Sequence, residues 1–540
     1  MVRHLAWALP VGVVAITLAC SSGHNFSTQP PAPAPRQASG TTDVITYHND
    51  NARSGQNLSE TVLTPSNVNV SSFGKIGFFP VDGKVDAQPL LLAAVTFPSA
   101  GMHDVLYVAT EHDSLFAMDA TTGTVLWKVS LLGAGETTSD DHGCSQITPE
   151  IGVTSTPVID RAHNIIYAVA MSKNGAGNYM QRLHALNLQT GAEMLGGPIT
   201  IQASFPGTGD ESSGGTLNFM PGQHAERAGL LLLNGIIYTT WTSHCDIRPY
   251  TGWVIAYNAS TLAQSSVLNL TPNGSEGSIW MSGAAPASDT NGNIYFLDAN
   301  GTFDTALNGS GFPVHGDFGN AFTKLSTATG LGVSDYFATF DTVAESNADE
   351  DLGSGGALLL PDLTDANGKL HHLAVGAGKD ANIYVVDRDN MGKFSPSSNN
   401  IYQEIKGTLG GAVFSMPAYF NQAVYYGAVG DSLKSFAISG ARLATAPSSQ
   451  TGNSFPYPGA TPSISANGRT NGIVWAAENG SQAVLHAYDA GNLSHEFYNS
   501  NQAGGRDQFG AGNKFITPII ANGRVYVGTT NGVAAFGNLK

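Results

Sequence analysis

The chain has 540 residues, 42% hydrophobic and only 12% charged, with 64 glycines and a formal net charge of −17. This acidity argues against a nucleic-acid partner, which needs a basic face. The length alone suggests three or four domains, but a repeated unit replaces that expectation.

At the start, Arg3 precedes an apolar run, Leu5–Ala19, that is too short to span a bilayer comfortably and reads as the core of a signal peptide. The end of the run, Thr17-Leu18-Ala19-Cys20, resembles a bacterial lipoprotein signal, with Cys20 as the lipidated residue; plain secretion is the alternative. Residues 1–20 are therefore expected to be a lipoprotein-type signal peptide. Residues 21–42, rich in Pro, Ala, Ser and Gln, are expected to be a disordered tether, and residues 43–540 the folded body. The expected location is the cell envelope, on its periplasmic side or exterior, touching membrane only through the lipid.

The stretch Val105–Leu131 predicts three short strands: Val105–Thr110, Ser114–Asp119 and, after the turn Ala120-Thr121-Thr122-Gly123, Thr124–Leu131 with Trp127. Ala87–Val95 supplies a fourth. Later copies centre on Ile165–Ala170, Ile236–Thr240, Asn293–Leu297, Leu373–Gly376, Ala423–Ala428, Ile473–Ala477 and Arg524–Gly528. From Tyr107 to Tyr526 the marker aromatic advances in seven steps of about 60 residues, a four-stranded propeller unit lengthened by loop insertions. The last copy lacks an outer strand, and Phe73–Val81 has the character to supply it. The prediction is all-β: an eight-bladed β-propeller of four-stranded antiparallel blades, closed by an N-terminal strand so that no sheet edge is left.

Alternation of the strand connections brings the unusual residues to one face. Cys144 and Glu150 lie between the first two blades, and His244, Cys245 and Asp246 lie in a loop of the third. Trp280, Asn300, Asp351 and Lys379 follow in connectors of the fourth and fifth. With Cys20 lipidated, Cys144 and Cys245 remain, and in an oxidising compartment they suggest a disulfide. Free thiols, or a zinc site with His142 and His244, stay open from the sequence.

The repeat, and three local segments within it, resemble the pyrroloquinoline quinone (PQQ) alcohol dehydrogenases, eight-bladed periplasmic propellers. The segments are Gly277–Trp280 with Ile294–Gly301, Asp349–Gly356, and Gly376–Arg388. The resemblance implies Trp280 as a stacking floor for PQQ, and Asn300 with Asp246 and Asp351 as Ca²⁺ ligands. It also implies Asp351 as the general base and Lys379 as the group that polarises the quinone carbonyl, with Glu150 a further cofactor contact. Leu297-Asp298-Ala299 departs from the family's Gly-x-Gly; adjacent cysteines and a Cys-x-x-Cys-His haem motif are both missing.

Each residue also has a plainer reading: Trp280 as interblade packing, Asn300 as a turn residue, Asp351 as a loop cap, Lys379 as a solvated turn. Two functions therefore stand open. One is a PQQ- and calcium-dependent oxidoreductase acting on an alcohol or sugar. The other is a non-catalytic envelope scaffold that binds envelope proteins.

Overall fold

In four of the repeats the marker tyrosine is a latch between neighbouring sheets. In the computed structural model, which describes residues 42–540, the first sheet runs Leu90–Phe97, Gly101–Ala109, Ser114–Asp119 and Val125–Ser130, all antiparallel. From it the Tyr107 hydroxyl donates to the Leu188 carbonyl of the second sheet's turn at 2.9 Å. Tyr167 does the same to Ala259, and Tyr425 to Ala490. Tyr526 returns from the last sheet to Ala120 of the first at 2.8 Å. Each latch satisfies a phenol that is otherwise buried at a cost.

The Thr-Gly turn has an equally local cause. Gly191 has φ +68°, and a Cβ there would lie 2.8 Å from the Trp127 ring of the preceding sheet. Gly123, φ +73°, meets Phe79 in the same way at 2.2 Å. The outer-strand aromatic of one sheet thus needs a bare left-handed turn in the next.

Among the described residues, eight sheets of four or five strands carry the eight repeats. Pairing within them is antiparallel except where Gln56–Asn57 joins Ser463–Asn467 in parallel. Phe73–Pro80 pairs antiparallel with Gly532–Asn538, the last strand of the chain. Consecutive sheets share apolar cores. Leu90, Tyr107, Ile159 and Ile166 join the first two sheets, and Leu106, Phe116, Tyr526 and Val533 join the first with the last. Burying each such large side chain contributes roughly 1.5–3 kcal/mol.

One element is not legible in the repeat. Residues 44–57 run along the innermost strands and bond to one in every sheet, in order. Val44 exchanges backbone bonds with Leu91, and the Ile45 carbonyl accepts from Ile159 N. The Asn51 amide donates to Leu232 O. The carbonyls of Asn51, Ala52, Ser54 and Gly55 accept from Ser288, Leu359, Tyr419 and Ile464. Asn57 Nδ2 donates to Ile520 O. Arg53 pins this belt from within. It is fully buried and donates to the carbonyls of Pro286 and Tyr47 and to the Thr46 hydroxyl. Burial pulls its pKa down to about 10, so it stays charged at neutral pH.

Candidate functional site

Two close approaches build the core of the site. Gly378, between the strands Leu373–Ala377 and Ile383–Asp387, packs against the loop of Asp351: a Cβ on it would stand 2.4 Å from Leu352 Cα. Gly353 in turn lies against Ala299, with 2.4 Å from a would-be Cβ to Ala299 N. Bare backbone therefore brings the turns of Lys379, Asp351 and Asn300 into contact. The Lys379 amide donates to the Asp351 carbonyl at 2.9 Å, and Leu352 N donates to Asn320 Oδ1 at 2.7 Å.

Lys379 Nζ lies 2.7 Å from Asp351 Oδ1 and bonds Asp349 Oδ1 as well. The contact with Asp351 is an ion pair off the line of a hydrogen bond, since both Asp351 oxygens are buried without hydrogen-bond partners. Burial pushes the Asp351 carboxyl up to about 6, against the pull of Lys379. Burial also opposes the Lys379 charge, but Asp351 and Asp349 outweigh it and raise its pKa. The result is a buried carboxylate tuned toward neutrality beside a secured cation.

Asn300 Nδ2 donates to Asp349 Oδ1 at 2.7 Å, while its Oδ1 is buried with no partner. Asp298, two residues before, is wholly buried with both oxygens unpartnered, and burial drives its pKa far above the usual range. The sequence reading treated Asp298 only as a departure from a glycine motif. Its signal was an acid at the end of the apolar strand Asn293–Leu297.

A cavity of about 270 Å³ joins these groups, near the lower end of small-molecule sites. Trp280, Asn300, Asp351 and Lys379 all line it, as do Asp246 and the Cys144–Cys245 pair. The two cysteines form a disulfide, with Cα atoms 5.8 Å apart. Asp246 is exposed and accepts from the Tyr250 hydroxyl at 2.8 Å. Glu150 is not brought to the cavity lining: its carboxylate is engaged by His112 and the Thr138 hydroxyl. Cys20 lies outside the described residues.

Sequence reasoning missed an aromatic wall. Lys379 Nζ stands 6.0 Å over the Trp280 ring. Phe414 and Phe515 pack at 5.9 and 6.0 Å from that indole, and Tyr457 completes the group. His244, which the sequence places on this face, stacks on His142 at 3.9 Å beside the disulfide. Burial, with His142 alongside, lowers the His244 pKa to about 3, so the ring is neutral. A parallel stack cannot point both rings at one ion, and with the thiols bonded the zinc alternative lapses.

Against known proteins, no family model matches the chain and no curated protein matches it in sequence. Solved structures do. The quinohemoprotein alcohol dehydrogenase of Comamonas testosteroni is similar with a TM-score of 0.61 at 14% identity, over 92% of this chain and 81% of that one. Alcohol dehydrogenase ADHIIG of Pseudomonas putida HK5 gives 0.60 at 12%, over 92% and 80%. A europium-containing methanol dehydrogenase gives 0.54 at 11%, over 92% and 98%. At these identities the likeness is one of fold, and in fold the chain resembles the quinoprotein alcohol dehydrogenases, as its repeat implies.

Proposed function

We propose that the eight sheets are the blades of a β-propeller ring closed by Phe73–Pro80, and that the cavity is the active site of a quinoprotein-type oxidoreductase acting on an alcohol or sugar hydroxyl. The ring is supported by the Tyr526–Ala120 latch and by the core shared between first and last sheets. The activity is carried by one observation: Trp280, Asn300, Asp351 and Lys379, spread over 100 residues, line one cavity around a buried carboxylate–lysine pair.

The residues present fit PQQ and a hard cation. Asn300 Oδ1 and Asp351 Oδ2 are buried oxygens without a partner, the donor type that Ca²⁺ takes, while Asp351 Oδ1 is held by Lys379. Among the described residues no three His, Cys, Asp or Glu side chains converge on a metal, so the amide of Asn300 is essential to such a site. Trp280 offers an aromatic surface for a planar ring, and Lys379 beside it a cation for a quinone oxygen. When bound, the quinone supplies a two-electron acceptor and the cation a Lewis acid.

The chain itself handles the proton. Asp351, ionised above its raised pKa, accepts the substrate hydroxyl proton at a carboxylate oxygen, and Lys379 keeps that carboxylate charged in a dry site. Burial raises the pKa of nearby Asp298 far above the usual range, which disfavours a second negative charge beside Asp351. The Cys144–Cys245 bridge supports export to an oxidising compartment, either secreted or anchored through Cys20.

The test is dye reduction by purified protein given PQQ and Ca²⁺, with alcohols and sugars as donors. The reading predicts turnover that Lys379→Ala strongly reduces. No dye reduction with any donor, in protein that stays folded, would favour the scaffold alternative.

A further inference from the structure

Part of the cavity is basic. Arg227 and Lys514 line it, in a chain whose net charge is −17. Arg227 is 7% exposed, and its Nη1 is buried with no hydrogen-bond partner. Its guanidinium sits 4.9 Å over the Phe515 ring, and its closest carboxylate, Asp86, is 3.9 Å away. Asp86 is shared with Lys84 at 3.5 Å. Burial, with Asp86 alongside, raises the Glu111 pKa well above the usual range. Lys514 is half-buried, and burial with the nearby Arg227 lowers its pKa. Lys84, Arg227 and Lys514 thus gather around Asp86. A buried donor left unpaired is destabilising, and an anionic ligand would relieve that.

We infer that the substrate of this site carries a carboxylate, which Arg227 and Lys514 bind while its hydroxyl faces Asp351. The substrate class is then a hydroxy acid or acidic sugar, not a neutral alcohol. Arg227 is suited to the task because a guanidinium fork matches a carboxylate in two parallel bonds, and stacking on Phe515 fixes its plane. This rests on reading the cavity as the oxidoreductase site.

Calorimetric titration of the cofactor-free protein tests it, using acid–neutral pairs: glycolate against ethylene glycol, gluconate against sorbitol, and glucuronate against glucose. At least one acid should bind tenfold or more tightly than its neutral partner. Arg227→Gln and, independently, Lys514→Met should each remove that preference while circular dichroism stays unchanged. If no acid outbinds its partner, or if Lys514→Met and a folded Arg227→Gln both retain the preference, the inference is overturned. Competition between PQQ and the preferred acid would also overturn it, by giving the cations to the quinone's own carboxylates. Failure of the oxidoreductase reading looks different: acid binding persists, but PQQ with Ca²⁺ gives no spectral change.

Discussion

Lys379 and Asp351 touch at 2.7 Å, side chain to side chain, and are also joined through the backbone by the Lys379 amide and the Asp351 carbonyl. The double link fixes the cation over the carboxylate, so the pair behaves as a unit. With Asp351 at about 6, the base is protonated and inactive below that pH, and dye reduction should rise through pH 6. Because Lys379 lowers the Asp351 pKa, Lys379→Met should move this limb upward as well as reduce the rate. Asp351→Asn should cost on the order of 10²–10⁴ in kcat.

The same carboxyl predicts an opposite effect on stability. Its folded pKa of about 6 lies above the unfolded value of roughly 3.9, so the native state holds the proton more tightly. Its contribution to stability is present at low pH and is lost as pH rises between those values. Urea unfolding at pH 4 and 7 should therefore show a smaller decline for Asp351→Asn than for the wild type.

The Tyr526 latch joins the two ends of the fold through the Ala120 carbonyl. Tyr526→Phe keeps the ring's packing but leaves that buried carbonyl one donor short. Arg524 Nη1 still donates to that carbonyl, so unfolding free energy should fall by about 0.5–1.5 kcal/mol by denaturant titration. An unchanged midpoint would mean that the first and last sheets are held by apolar contact alone.

Arg53 organises the belt of residues 44–57, so Arg53→Met should strand the carbonyls of Pro286 and Tyr47 and cost on the order of 3 kcal/mol. Hydrogen exchange should rise first at the innermost-strand amides that bond the belt, such as Leu359 and Tyr419.

The disulfide closes a separation of 101 residues. Replacing both cysteines, Cys144→Ala with Cys245→Ala, should lower stability by about 2–4 kcal/mol, as measured by thermal unfolding. Because both cysteines line the cavity, the same variant should weaken ligand binding there.

The blade units were legible because turn chemistry and strand alternation are local. Ser114–Asp119 and Arg524–Gly528 appear within the bounds the sequence predicts, and Phe73–Pro80 falls one residue short of its predicted end. The belt was not legible, since it bonds one residue at a time to strands hundreds of positions away and has no periodicity of its own. At the site, Trp280, Asn300, Asp351 and Lys379 could be named because each stands in a connector of one face. Arg227, Phe414, Tyr457 and Lys514 carry no motif, and their meeting depends on how the sheets surround the cavity. Glu150 shares the connector logic, yet His112 and Thr138 hold its carboxylate away from the lining.

The most direct measurement is the absorption difference spectrum of PQQ titrated with the protein in the presence of Ca²⁺. The proposed site predicts saturable binding at micromolar PQQ, weakened at least tenfold by Trp280→Leu and by Asn300→Ala. No spectral change at micromolar PQQ, or a change indifferent to both substitutions, would contradict it.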